Sequence, residues 1–436
     1  MKPSRYNFFY LYKPDSNKHI AYNSFSNALA LMETRQYDEY RLFEKDNEHP
    51  LANAFIKDLR KGHFVVDDEV DELALIRHRL LKGRYGSSGL GLTIAPTSDC
   101  NFRCVYCYEK DSMHHATMAE ETQQAIINFI EDRAPNLSDL HISWFGGEPL
   151  LALDIIENMT KRILSLAEEY KFLYSASIVT NGYLLSPENA RRMLDCKIAS
   201  CQVTIDGEAE THNARRPHAS GSSTYDVIIK NLQAVKDILP FIILRVNIDK
   251  ENTDAISHVI ETLKELQLNN VNAYPAPILD TNGCYSAGAC LSSSEFFRFE
   301  YDFIKASRDH NRMLQKYPAI LCRACGADDS SAYVIDADGK LYKCWSDIGI
   351  SELSFGSVAK GVLNPMNEIL YIKNDPTHDT KCSKCKFLPI CLGGCPHDQR
   401  SGKTDRCLRY KHLHKLYMED IARIMDDKNN MAAHQK

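Results

Sequence analysis

The chain has 436 residues, 44% hydrophobic and 25% charged, with a net charge of −6 from 52 basic and 58 acidic residues. Such values fit a soluble globular chain of about three domains, or one large core with appendages, and give no electrostatic footprint for nucleic acid. No apolar run approaches the ~20 residues of a membrane span. The opening segment also lacks the apolar core and cleavage site of a signal peptide, so the expected location is the cytoplasm.

Residues 1 to about 88 contain no cysteine. "RYNFFYLY" and "HIAYNSF" read as a hairpin around the turn "KPDSNK". Helices are expected near 25–33, 35–46 and 50–60, then a short strand "HFVVDD" and a helix near 70–83. This pattern suggests a small winged-helix-type module, or a structural cap on the next domain. "GRYGSSGLG" (83–91) is a Gly/Ser linker.

From residue 90 apolar runs alternate with helical segments. The expected strands are 90–97, 140–147, 174–182, 200–207, 242–249 and 271–278. Helices fall near 117–134, 152–171, 186–195, 225–238 and 253–267, the first opened by a capping box of Thr117 and Glu120. Six strands with crossover helices predict an α/β fold with a parallel sheet, an open partial barrel short of the eight units that close one. Sites in such sheets lie at the C-terminal ends of the strands. Those ends read "SDCNFRCVYCYE", "WFGGEP", "VTNG", "VTIDG" and "RVNID", so polar residues, glycines and a cysteine loop collect at one rim.

Fifteen cysteines are unusual for a reducing compartment, where a patterned set points to metal binding or catalysis. Three lie at 100–107, three at 322–344 and five at 382–407; Cys196, Cys201, Cys284 and Cys290 stand apart and read as small buried or free thiols. Cys100, Cys104 and Cys107 supply three thiolates where a tetrahedral zinc site or a [4Fe–4S] cluster ordinarily takes four ligands. Either the fourth ligand comes from outside, or one iron stays open to a bidentate amino acid.

"CNFRCVYC", with the aromatic Tyr106, resembles the signature loop of radical S-adenosylmethionine (SAM) enzymes, and "GGEP" resembles their methionine-binding motif. The resemblance implies a partial (β/α)6 barrel in which SAM chelates the open iron and is cleaved to a 5′-deoxyadenosyl radical that abstracts hydrogen from substrate. It implies that Gly146, Gly147, Glu148 and Pro149 form the segment meeting the SAM amino group. Thr204 and Asp206 would contact the ribose, Tyr106 would lie near adenine, and Arg216 would meet the SAM carboxylate. Asn213 stands where the family's "HDxxR" pattern has aspartate.

Beyond residue 322 the spacing is Cys325, thirteen residues, Gly339, four residues, Cys344, then Cys382-x2-Cys385-x5-Cys391-x3-Cys395, eleven residues, and Cys407. This is similar to the SPASM domain that follows many radical SAM cores. It implies two auxiliary [4Fe–4S] clusters beside the SAM-binding one. One would take Cys325, Cys344 and Cys395, with either Cys322 as its fourth ligand or an open iron. The other would take Cys382, Cys385, Cys391 and Cys407. "SSAYVIDADGKLYKC" reads as a hairpin leading to Cys344, and the tail after 411 as a packing helix.

The N-terminal module resembles the recognition elements of ribosomal-peptide (RiPP) maturases, in which a leader peptide adds a strand to a small sheet. The expected organisation is therefore 1–88 precursor recognition, 89–280 radical SAM core, 281–321 bridge, 322–410 SPASM domain and 411–436 tail. The chain looks most like thioether-forming maturases of sactipeptide and ranthipeptide type, which act on a precursor peptide and draw on a flavodoxin- or ferredoxin-like electron donor. The alternatives are anaerobic sulfatase maturation to formylglycine, carbon–carbon crosslinking of a peptide, and, from another class, an iron–sulfur electron carrier or zinc scaffold. Sulfatase maturases typically carry aspartate directly after the cysteine that here is Cys344. This chain has Trp345 there, and Asp347 is the nearest carboxylate.

Overall fold

Apolar side chains at alternate positions build the first sheet in the computed structural model, which describes residues 1–111, 115–268, 270–281, 283–403 and 407–434, with side chains in the last helix to 428. The chain divides into two compact units. The first comprises Met1–Gly86, Ser293–Cys325 and Asn374–Lys436. In it β1 (Lys2–Pro3) pairs with β5 (Val65–Val66), and β2 (Asn7–Leu11), β3 (Lys18–Asn23) and β4 (Ala28–Glu33) form an antiparallel sheet. Ile20 and Tyr22 of β3 pack with Tyr417, Met418 and Ile421 of the helix Arg409–His434. Ala21, on the opposite face, packs with Tyr40, Phe43 and Leu59 from the helices Thr34–Lys45 and Asn53–Lys61.

The helix expected near 25–33 is instead strand β4. Asn27 adopts φ 62°, the left-handed conformation asparagine tolerates, and this turn returns the chain onto β3 with Tyr22 opposite Leu29 and Ile20 opposite Leu31. Ladder bonds and packing outweigh the helix propensity of "ALALME".

The second unit comprises Ser87–Ser292 and Gly326–Lys373. Strands β6 (Gly89–Ile94), β7 (Asp139–Trp144), β8 (Leu173–Thr180), β9 (Ile198–Thr204), β10 (Phe241–Ile248) and β11 (Val271–Pro277) lie side by side in chain order, every neighbouring pair parallel. Leu92, Ile94, Ile142, Trp144, Ile178 and Val203 are buried on one face of this sheet. Alternate residues such as Thr93, Ser143, Ser177 and Ser200 are only half-buried. One face is thus packed by the crossover helices, and the other is polar and open.

The expected capping box does not form. The helix begins at Glu120 behind Ala119, while Thr117 bridges to Thr97 and the Met118 amide donates to the Pro96 carbonyl. Main-chain pairing with the strand-end loop claims the segment before a helical turn can.

The sheet continues past β6. Strand β12 (Ala332–Ile335) pairs with it in parallel, Ile335 opposite Ile94, and β13 (Lys340–Tyr342), β14 (Gly356–Ser357) and β15 (Gly361–Val362) follow antiparallel. The expected hairpin before Cys344 is β12–β13. Among the described residues no helix is long and apolar enough to cross a membrane.

Candidate cofactor site at the strand ends

The cysteine loop leaves β6 and is laced by main-chain bonds. The Arg103 and Val105 amides donate to the Pro217 and Arg215 carbonyls at 2.9 and 3.0 Å, and the Ala219 amide donates to the Asn101 carbonyl at 2.7 Å. Phe102, 1% exposed, bridges to His218 and anchors the loop. Asp99 Oδ1 accepts from the Cys100 amide at 2.8 Å and lies 2.7 Å from His115 Nδ1.

All three thiols line one cavity of about 270 Å³, together with Gly146, Gly147, Glu109 and Lys110. Burial pushes the Cys100 and Cys107 thiols up to about 12 and raises Cys104 as well. Thiols so raised stay protonated at neutral pH unless a bound cation holds them as thiolates. Three thiols around one cavity suit a cluster that gives each thiolate its own iron. Among the described residues no three His, Cys, Asp or Glu side chains converge on a single ion.

The glycines are required by close approach. A Cβ on Gly147 would stand 2.2 Å from the Asp99 carbonyl oxygen; one on Gly146, at φ +105°, would stand 2.6 Å from that of Thr97. The Gly147 and Glu148 amides donate to these same two oxygens, Gly147 to Thr97 and Glu148 to Asp99, at 3.3 and 2.8 Å. The end of β7 is thereby fastened to the loop that carries Cys100.

Glu148 turns inward. It is fully buried and accepts from Thr180 Oγ1 at 2.7 Å and from the Asn181 and Leu150 amides at 2.7 and 3.0 Å. Desolvation raises its carboxyl against these bonds. Its role in this geometry is to tie the ends of β7 and β8 together, with Gly146 and Gly147 presenting main chain to the cavity. Pro149, buried, opens the short helix Pro149–Ala152.

A polar network gathers at the ends of β9 and β10. The Tyr106 hydroxyl donates to Asp206 Oδ2 at 2.5 Å and accepts from Arg216 Nη1 at 2.8 Å and Asn247 Nδ2 at 2.9 Å. Arg215 pairs with Asp206 at 3.4 Å and with Asp249 at 2.9 Å. Burial pushes the Tyr106 phenol well up, while the nearby Asp206 carboxylate helps keep the Arg216 guanidinium protonated against its own desolvation. Arg216 Nε and Arg215 Nη2 are buried without a hydrogen-bond partner. Two such orphaned donors suit an anionic group such as a carboxylate.

Thr204, 7% exposed, ends β9 opposite Arg245. Asn213, at the family's aspartate position, accepts from the Thr224 and Tyr225 amides at 2.8 and 3.0 Å and so holds the start of the next helix. Sequence alone does not single out Arg215, Asn247 or Asp249. Their one signal is position, beside Arg216 and at the polar end of "RVNID".

The C-terminal cysteines divide between the units. Cys344, buried, lies in the second; Cys322, Cys325, Cys382, Cys385, Cys391, Cys395 and Cys407 lie in the first. Burial raises the Cys391 and Cys395 thiols. Between Cys391 and Cys395 three successive residues, Leu392, Gly393 and Gly394, adopt positive φ of 47°, 91° and 80°. The two glycines make that curl possible.

Residues 94–263 match the radical SAM superfamily. Over 367 residues the chain is 25% identical to the cysteine-type anaerobic sulfatase-maturating enzyme of Clostridium perfringens, covering 76% of this chain and 95% of that one. Native anSMEcpe with bound AdoMet and a peptide shares the fold with a TM-score of 0.58 at 19% identity, covering 79% of this chain and 99% of that one. Streptococcus suis SuiB bound to precursor peptide SuiA does so with a TM-score of 0.52 at 15% identity, covering 94% and 98%.

Proposed function

We propose that the protein is a radical SAM enzyme, residues 94–263 matching that superfamily, and that it modifies a precursor peptide by joining a cysteine sulfur to a carbon of another residue. The observation that carries the reading is the single cavity lined by Cys100, Cys104, Cys107, Gly146 and Gly147. The three thiolates would hold a [4Fe–4S] cluster, and bound SAM would supply the hydrogen-abstracting radical there. Main chain at Gly146 and Gly147 would meet the SAM ammonium. The orphaned donors of Arg215 and Arg216 suit its carboxylate, and Asp206 its ribose. Tyr106 holds Asp206 and Arg216 in place.

The peptide substrate is supported by fold likeness to SuiB and anSMEcpe, both solved with peptides. We read 1–88 as the precursor-recognition module, whose three-stranded sheet a leader strand would extend. In this reading the C-terminal cysteines form the two auxiliary clusters of a SPASM domain, and a flavodoxin- or ferredoxin-like protein supplies electrons.

Formylglycine formation is the second reading, favoured by the identity to the sulfatase-maturating enzyme. Against it stands Asp347, 1% exposed, whose carboxylate accepts the Tyr371 hydroxyl at 2.5 Å.

Anaerobically reconstituted and reduced protein is expected to release 5′-deoxyadenosine from SAM. A cysteine-containing peptide encoded beside the gene is expected to lose two hydrogens and one alkylatable thiol. A product that has lost its sulfur would identify formylglycine instead, and no 5′-deoxyadenosine would point to the iron–sulfur carrier or zinc scaffold.

A further inference from the structure

Trp345 directly follows Cys344, where the sulfatase-maturase pattern has aspartate. Its backbone is fixed from below. The Asp347 amide donates to the Cys344 carbonyl at 3.0 Å, Asp347 is bonded to Tyr371, and Tyr371 packs with buried Cys344 and Ala327. The residue is nonetheless 52% exposed, and its indole stacks on Phe145, with ring centroids 5.9 Å apart and planes 24° from parallel.

Phe145 places that stack. Leu140, Ile142 and Trp144 of β7 are buried toward the helices. Alternation then puts His141, Ser143 and Phe145 on the open inner face, and the Phe145 amide extends the ladder to the Ile94 carbonyl at 2.9 Å. Gly146 and Gly147, which line the cysteine cavity, come next in the chain. Phe145 therefore stands on the inner rim where the cofactor cavity opens.

The inner face below that rim is polar. Thr93, Ser143, Ser177 and Ser200 are register partners across four adjacent strands, a row of hydroxyls. A filled barrel carries bulky aliphatic residues at such positions. Hydroxyls suit peptide main chain and small polar residues, and the aromatic pair offers an apolar surface at the top.

We propose that Trp345 and Phe145 form a platform that selects the peptide substrate by seating one of its apolar side chains beside the residue to be modified, a proposal that rests on the peptide-maturase reading. Adenine is the competing occupant of an aromatic stack, but sheet order disfavours it. Trp345 follows β13, on the β6 side of β7, whereas Asp206 and Asn247 end β9 and β10 on the other side. Rigid aromatic anchors with two side-chain torsions seat apolar groups at low entropic cost. Full burial of a phenylalanine ring corresponds to roughly ten- to hundredfold in affinity.

The test measures binding, so it does not depend on turnover. Two pools of fluorescein-labelled nonapeptides carry a central cysteine among glycine and serine. In one pool a single other position is phenylalanine, and in the matched pool it is serine. Anisotropy titration of the reconstituted protein with SAM is expected to show at least tenfold tighter binding of the phenylalanine pool. Trp345→Ala is expected to bring the two pools within about twofold, and Trp345→Phe to restore the preference. Iron content and thermal midpoint check that the variants fold. Equal affinities in the parent, an unchanged preference in Trp345→Ala, or a loss confined to SAM affinity would each overturn the platform. Absence of SAM cleavage by the parent would instead overturn the maturase reading on its own.

Discussion

The loop carrying Cys100, Cys104 and Cys107 and the stretch from Cys382 to Cys407 both bind their cysteines into short loops, yet by different means. The first is held from outside itself, by main-chain bonds to residues 215–219 and by the end of β7. Its thiols are half-buried around one cavity. The second is tied to Arg5, Asn7, Ser24 and Leu321 of its own unit and adds a local curl, three successive positive-φ residues between Cys391 and Cys395. A site that must admit a large exogenous cofactor gains from walls supplied by separate strand ends, because those walls can be shaped independently of the ligand loop. The curl parts two neighbouring cysteines, Cys391 and Cys395, that the resemblance assigns to different clusters, and local curvature is enough for that.

The largest expected effect separates the two regions directly. Replacing Cys100, Cys104 and Cys107 together by alanine is expected to abolish SAM cleavage and remove about four irons per chain while leaving the C-terminal iron in place. Iron analysis and 5′-deoxyadenosine release check it. Normal SAM cleavage by the triple variant would sink the assignment of this loop.

Gly147→Ala and Gly393→Ala sharpen the contrast at one methyl each. At Gly147 the methyl would meet a main-chain oxygen at 2.2 Å, so strand end and cysteine loop must part. SAM cleavage is expected to fall at least a hundredfold, with about 1–3 kcal/mol of stability lost to overpacking. At Gly393 the nearest atom is Pro376 Cβ at 3.1 Å, and the main cost is the positive φ. That is about 1–2 kcal/mol, read as a shift of thermal midpoint with SAM cleavage retained. Equal effects of the two substitutions on SAM cleavage would break the distinction.

The same contrast explains what is legible in the sequence. The six parallel strands and their helices are readable because apolar alternation and crossover length are local signals. The cysteine spacings are readable as counts. The partners that shape the site are harder to read. Ile335 joins Ile94 across more than two hundred residues, and nothing in "AYVI" says it extends the barrel sheet. In sequence Glu148 reads as part of the segment meeting the SAM ammonium because it follows Gly-Gly. In the fold Thr180 and Asn181 claim its carboxylate, a pairing set by the adjacency of β7 and β8. Arg215, Asn247 and Asp249 become visible only once β9 and β10 are neighbours. Strand β4 is hidden because its residues favour helix and only the ladder with β3 overrides them.

The smallest expected effect concerns Asp347, and it decides how far the sulfatase-maturase likeness extends. Asp347 sits three residues after Cys344, 1% exposed, with Tyr371 donating to it. A carboxylate that serves as a proton acceptor for substrate needs an open oxygen within hydrogen-bond reach of the reacting group. One that positions a turn needs only an acceptor. Asparagine keeps a carbonyl oxygen of the same reach while losing the charge. Asp347→Asn is therefore expected to leave 5′-deoxyadenosine release and peptide turnover within about twofold, at a stability cost of about 1 kcal/mol for the weakened hydrogen bond. A hundredfold loss of peptide turnover with SAM cleavage intact would mean that the carboxylate acts on substrate after all. The region after Cys344 would then resemble the sulfatase maturases in chemistry as well as in fold.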